Sequence, residues 1–492
     1  MANSRMQVEV GFGRLSSGTT RREGRPRMLV VADLCGRSRQ PLARRRAWTL
    51  ALDNLEQVFE SIGPRLSIDL EGQALDIAFE SPEDFHPDRL FERLPVFESL
   101  RTLRDELADP QRFRRAAAAL SLGAGPGSPT PADDRAPDFE RLLGRGSAIG
   151  EGTPARAAQA TTAAGLMDSW IRELVAPHVV PNTTNEQRAL TSAADDAIAA
   201  LMRRVLHHPR FQALEAAWLG IERLVRGLDL DQGLTLVLLD AGRDEIEHDI
   251  ASHRDDLTAS AMHHHLCGPA DASPDGARWT LWALDAAFGP SADDVQLLAS
   301  LGAISARAGA PLLAAATPQA AGCGTRDGLA QPRQWLPAEA PELAPWQALR
   351  TAPMARWIGL ALPRVLMRLP YGARGEVISR FAFEELTSAS DHEDFLWGGA
   401  GLALALLAGR ALQDEEGEVA EQLDLDDLPS AIVTHDGERH QQPCAELLLA
   451  ESAGQALLQR GLMPLMSWRD RNAARLMRWQ SVADPVQAIA GL

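Results

Sequence analysis

The sequence predicts an α/β fold: mixed, largely parallel sheets flanked by helices, in two fused modules. Four runs, Met28–Leu34, Leu234–Asp240, Trp279–Asp285 and Pro311–Ala316, are almost continuously apolar, the pattern of strands covered on both faces. Helical-period segments separate the last three, and strand–helix–strand alternation implies parallel pairing. A Gly/Pro/Ala/Ser-rich stretch over 116–165 divides a module at 1–115 from one at 166–492. The latter reads as an α/β core over 166–330 and a second part over 331–492.

In the first module, residues 1–26 are polar, Gly- and Arg-rich and read as extended. Met28–Leu34 is a buried strand that enters a loop at Cys35-Gly36. That loop carries Arg37, Arg39, Arg44, Arg45 and Arg46, a candidate polar assembly contact. Asp53–Phe59 reads as a helix closed by Gly63-Pro64. Leu66–Leu70 and Leu75–Phe79 alternate apolar and polar residues about Gly72, which predicts a hairpin. Ser81-Pro82-Glu83-Asp84 has the form of a helix start, and Phe97, Leu100, Leu103 and Leu107 make a helical face ending at Asp109-Pro110. The stretch 116–165 reads as a flexible connector. Its Gly144, Gly146 and Gly150 follow no strand and miss the GxGxxG spacing, so no phosphate loop is read there.

The second module opens with the capping-box form Thr184–Gln187, and Leu190, Ala194, Ile198, Leu201 and Val205 continue one helical face. His207-His208-Pro209 breaks that helix and starts another. Phe211, Leu214, Trp218, Ile221 and Val225 form its apolar face; Gln212, Glu215, Glu222 and Arg226 occupy much of the rest. Strand Leu234–Asp240, helix Asp244–Ser252, strand Trp279–Asp285, helix Asp293–Arg307 and strand Pro311–Ala316 follow, and Ala431–His435 is a later strand turning at Asp436-Gly437.

Composition narrows the function. At 492 residues two to four domains are expected, with ample length to bury cores. A formal charge of −18 argues against a nucleic-acid binder. All 49 basic residues are Arg, and 11 of them fall in residues 1–50 against Glu9, Glu23 and Asp33. A basic end and an acidic body suit head-to-tail contacts between copies, or simply a solvated surface. Cys35, Cys267, Cys323 and Cys444 form no CxxC pair, which fits a reducing compartment. The N-terminus has no apolar h-region, and the apolar run Gly398–Gly409 is shorter than the roughly 20 residues a bilayer span needs. A cytoplasmic location without membrane insertion is expected.

Three segments of the first module, MLVVADLCGRSRQPL (28–42), LDNLEQVF (52–59) and LDIAFESPEDFHPDRL (75–90), resemble in order the small-subunit (TssB/VipA-like) family of the type VI secretion contractile sheath. In the second module, HHPRFQALEAAWLGIERLV (207–225), LPRVLMRLPYG (362–372), FAFEE (381–385) and LWG (396–398) resemble the large-subunit family (TssC/VipB, EvpB/ImpC-ImpD-like). The motif positions fall on Phe211, Leu214, Glu215, Trp218, Pro370, Tyr371, Gly372, Phe381, Phe383, Glu384, Glu385, Trp397 and Gly398. Gly399 stands where that family usually has Asn, and the sequence ends at Leu492 without the family's C-terminal element.

The resemblance implies a structural sheath component, a fused small/large-subunit protomer assembling around an inner tube. Its implied partners are further copies or other sheath subunits, the inner tube protein, baseplate proteins and a disassembly AAA+ ATPase. The ATPase-recognised region would correspond to residues near Leu166 to Val175, internal in this chain. A sheath-like accessory that caps or regulates sheath or baseplate assembly without polymerising is the alternative.

The residues themselves nominate little chemistry. Adjacent side chains in His263-His264-His265, beside Cys267, diverge on a regular backbone, and no second cluster has ligand spacing, so no metal is expected. Glu384-Glu385 has the form of a general-base pair, but no nucleophile or partner base accompanies it. An unrecognised hydrolase is the enzymatic alternative; no enzyme activity and no cofactor are expected. Phe211, Leu214 and Trp218 are assigned to packing.

Overall fold

The most apolar run of the first module forms an interior strand of a sheet built mainly by the second. The computed structural model describes all residues except 1–24, 37–39, 71, 110, 122–182, 269–277, 388–391, 415–418, 436–437 and 470. In chain order the strands are β1 (Arg27–Ala32), β2 (Ala47–Leu50), β3 (Arg65–Leu70), β4 (Gln73–Ala78), β5 (Thr235–Asp240), β6 (Leu281–Phe288), β7 (Leu312–Ala316) and β8 (Ile358–Leu362). There follow β9 (Val365–Leu366), β10 (Trp397–Gly398), β11 (Asp424–Leu425), β12 (Ile432–His435), β13 (Glu438–Gln441), β14 (Met463–Ser467) and β15 (Ala474–Leu476).

A nine-stranded sheet has the order β11-β15-β14-β8-β7-β6-β1-β5-β2. β1 lies parallel between β5 and β6, with Val30 opposite Leu238 on one side and Ala283 on the other. β6, β7, β8 and β14 continue in parallel, while β2 and the β15–β11 end run antiparallel. Alternate residues of β1 enter different cores: Met28, Val30 and Ala32 one, Leu29 and Val31 the other. That alternation is why a strand covered on both faces reads as an unbroken apolar run.

On the first face lie α1 (Leu55–Ile62), α2 (Pro87–Arg93), α3 (Glu98–Ala108), α4 (Phe113–Ser121), α5 (Thr183–Leu206) and α6 (Pro209–Gly227). α7 (Arg243–Ser252), α8 (Ala261–Cys267), α9 (Ala292–Ala308) and α10 (Ala344–Thr351) pack on the second. α11 (Ala400–Gln413) joins the first face and α12 (Glu451–Gln459) the second. The segment between β4 and α2 brings Phe79 and Phe85 against Phe211 of α6, and the Phe59 ring of α1 lies tilted 4.4 Å from Trp218. The two sequence modules thus share one aromatic core.

Most predicted elements lie where the periodicity places them, with two differences. The strand expected over 279–285 runs to Phe288, because an irregularity between Ala283 and Ala287 lets it continue along β7. Residues 113–121, partly assigned to the connector, are helical: an alanine run is the strongest helix former, and Phe113, Ala116 and Ala117 are buried. The rest of the connector and the Leu166–Val175 region lie outside the described residues. No helix among the described residues is long and apolar enough to cross a membrane.

Candidate functional site

α6 is positioned by its first turn. Pro209 occupies a position whose N–H needs no partner, and His208 caps the helix by accepting from the Arg210 N–H at 3.2 Å. The helix buries Phe211, Leu214 and Trp218, as their spacing predicts, and the Trp218 indole N–H donates to the Leu34 carbonyl of the first module at 3.1 Å. Glu215 departs from expectation. It was placed on the polar part of the helix, yet it is 2 % exposed.

Its burial is explained by Arg368. The Arg368 Nε donates to Glu215 Oε1 at 2.6 Å, and its two Nη groups reach the Glu385 oxygens at 2.7 and 3.0 Å. The Tyr371 N–H also donates to Glu385 Oε2, at 2.7 Å, and the Tyr371 ring lies 4.1 Å from the guanidinium carbon. Burial alone would lower the Arg368 pKa, but Glu215 and Glu385 hold it well above the usual value. Burial raises the Glu215 pKa despite the opposing Arg368. Glu385 therefore has both oxygens engaged by Arg368 and the Tyr371 N–H. His207 stands 3.0 Å from Asp394 and 3.9 Å from Glu385, and burial depresses its pKa.

The other motif residues frame this network. Gly372 adopts φ +140°, where a Cβ would meet the Glu384 carboxylate, and Glu384 accepts from the Ala373 N–H at 3.0 Å. Pro370 precedes Tyr371, and its carbonyl would collide with a Cβ on Gly375. Phe381 packs 4.8 Å from Phe91 of α2, and Phe383 lies 5.5 Å from Phe381. The Trp397 indole N–H donates to the His392 carbonyl at 2.9 Å, and Gly398 admits the Met367 side chain where a Cβ would not fit. Contact between the modules is completed by Asp88 of α2, which accepts from the Ser379 N–H at 3.0 Å and hydroxyl at 2.7 Å.

The arginine loop is not uniform. Arg37 and Arg39 lie outside the described residues. Arg45 is 8 % exposed and donates to Glu245 at 2.7 Å and to the Asp240 carbonyl at 2.7 Å, so it is an internal brace. Arg44 is exposed, and Arg46 lies over Trp48 at 4.1 Å.

Sequence reasoning did not nominate Arg364, Arg368 or Asp285. Arg364 forms paired bonds to Glu393, at 2.7 and 2.8 Å, and reaches Glu446 at 2.6 Å. Burial would raise the Glu446 pKa, but bonds from His392 and Arg364 bring it down to about 2. Asp285, in the middle of β6, is pushed up to about 6 by burial and by Asp33. A Cβ on Gly399 would sit 3.1 Å from its Oδ1. Among the described residues two clusters have atoms close enough to hold a metal, Asp33/Cys35/Asp240 and His392/Glu393/Glu446, and neither includes the 263–265 histidines. Asp240 Oδ1 already accepts from the Leu34 and Cys35 N–H groups, and Glu446 from Arg364.

The model of the EvpB/VC_A0108 tail sheath N-terminal domain matches residues 188–483. A second model, described as type VI secretion system VipA (VC_A0107 or Hcp2), matches residues 16–116. The type VI secretion system sheath protein TssC1 of Pseudomonas aeruginosa is 28% identical over 313 residues, covering 61% of this chain. The chain spans 62% of that relative's length.

Proposed function

The chain belongs to the EvpB/VC_A0108 tail sheath family, and from that premise we propose that it is a structural component of a type VI secretion contractile sheath. In this reading it is a fused small/large-subunit protomer that assembles around an inner tube. The observation that carries the reading is the insertion of β1, from the VipA-like segment, between β5 and β6 of the VipB-like segment. One chain then supplies both halves of a protomer body, joined by sheet hydrogen bonds rather than by the connector alone.

The modules are taken as 1–115 and 166–492, joined by a connector over 116–165 whose first residues belong to the helix Phe113–Ser121. Partners are further copies of the chain or other sheath subunits, an inner tube protein, baseplate proteins and a disassembly AAA+ ATPase. Function resides in interfaces with two packings rather than in catalysis. Arg44 and Arg46, with Arg37 and Arg39, are the assembly contacts toward the acidic body of a neighbouring copy.

Negative-stain microscopy of the purified full chain tests the reading. Long hollow cylinders are the expected result. Discrete particles or rings at every protein concentration would contradict it and point to a capping or regulatory role.

A further inference from the structure

A cleft of about 640 Å³ opens where α10, the end of α12 and the segment around Asp484 meet. Gln347 and Arg350 of α10 line it, together with Gln459, Arg460, Glu339 and Asp484. Arg350 is 3 % exposed and bound into the fold: its Nε donates to the Val482 carbonyl and its Nη2 to the Gln459 carbonyl, each at 3.1 Å. Arg460 follows the last residue of α12 and donates through its Nη2 to the Leu336 carbonyl at 2.7 Å.

Two donors of these side chains have no acceptor. The Arg460 Nη1 and the Gln347 amide nitrogen are buried, and neither makes a hydrogen bond among the described residues. A buried N–H without an acceptor carries its full desolvation cost, so a folded protein normally supplies one. The charges are unequal as well. Asp484, half-exposed and 3.7 Å from Arg350, is the one carboxylate within ion-pair distance of either guanidinium among the described residues. Burial lowers the pKa of both arginines; Asp484 opposes this at Arg350, and Glu339 opposes it at Arg460 from beyond ion-pair distance. Arg460 thus keeps a guanidinium with no carboxylate bonded to it.

We propose that this cleft binds a carboxylate, with the Arg460 Nη1 and the Gln347 amide as donors and Arg350 as a fixed second positive charge. A carboxylate is acceptor-only and offers two oxygens in a plane, which suits a guanidinium beside an amide donor. Glu339 and Asp484 repel a dianion more strongly than a monoanion, which favours a carboxylate over a phosphate. The chain carries 67 Asp and Glu against 49 Arg, so an acidic side chain of a second copy is a ready source. The site does not depend on whether the chain forms cylinders.

Calorimetric titration of the full chain with N-acetyl-glutamate α-amide, which carries one carboxylate, tests this. N-acetyl-glutamine α-amide is the uncharged counterpart of the same shape. The expected result is saturable one-to-one binding, about tenfold or more tighter for the glutamate compound. Arg460→Gln should weaken binding about fivefold or more. Gln347→Leu should weaken it about threefold; Gln347 makes only a 3.5 Å contact with Arg350, so this variant keeps its Tm and decides the test where Arg460→Gln fails to fold. Sedimentation of the full chain in the saturating glutamate compound, against the glutamine compound at equal ionic strength, separates the sources. Dissociation of copies assigns the carboxylate to a second copy, and unaltered sedimentation assigns it to a free carboxylate. Equal binding of the two amides, absence of saturable binding, tighter binding of inorganic phosphate, or unaltered affinity in either folded variant overturns the proposal.

Discussion

Arg368 connects three stretches that are far apart in the chain: α6 through Glu215, its own RLPYG segment, and the FAFEE segment through Glu385. Removing a partner from a buried ion network leaves bare charge, so Arg368→Met should destabilise the chain by about 3–5 kcal/mol in urea unfolding. Glu215→Gln should cost less, since Glu385 still holds the guanidinium with two bonds. Asp285 gives a prediction with a pH sign. Its folded pKa, about 6, lies above the ordinary 3.8, so the folded form holds more protons between those values. Stability contributed by the protonated carboxyl is present below about pH 4 and is lost as pH rises through about 6. Asp285→Asn should therefore raise stability by about 3 kcal/mol at pH 7.5 and leave it nearly unchanged at pH 4, as read from the difference in Tm. Glu215, Tyr371 and Glu385 were visible as words of a family pattern. Their pairing was not, because the Glu215–Arg368 separation of 153 residues leaves no local signal.

At the scale of elements, glycines set how closely helices approach. In α6, Gly220 faces Leu402, and a Cβ there would lie 2.5 Å from a Leu402 methyl that can rotate away. In α11, Gly401 faces backbone: a Cβ would lie 2.9 Å from the Ala314 Cα and 3.1 Å from the Leu284 carbonyl. Backbone cannot yield as a side chain does. Gly401→Ala should therefore cost about 2 kcal/mol or more, and Gly220→Ala less, in paired denaturation curves. Gly399 starts the same helix without a side-chain cap and stands beside the Asp285 carboxylate. The apolar run over 398–409 was read only as too short to span a bilayer, and it forms a mostly buried helix. Its role as the helix lying on β6 and β7 was not legible, because glycine spacing alone does not say what approaches. The alanine run at 116–119 misled in the other direction: composition suggested a connector, while propensity and the buried Phe113 made a helix.

For the whole molecule, the parallel α/β class was readable from doubly covered strands and the helices between them. The strand order was not, since nothing local in β1 says that it enters between β5 and β6. The arginine loop was read as a single contact, but the described part separates into Arg45, which braces Glu245, and the outer Arg44 and Arg46. Arg44→Glu/Arg46→Glu should weaken self-association in sedimentation, most clearly at low salt, while Arg45→Glu should lower Tm through the lost brace. The central claim is that one chain makes one protomer body, with its first module built into the sheet of the second. Hydrogen exchange of the β1 amides tests this most directly. Leu29–Val31 should exchange with the same slow, global protection as Leu236–Leu239 of β5 and Trp282–Leu284 of β6. Rapid exchange in β1 while β5 and β6 stay protected would contradict it.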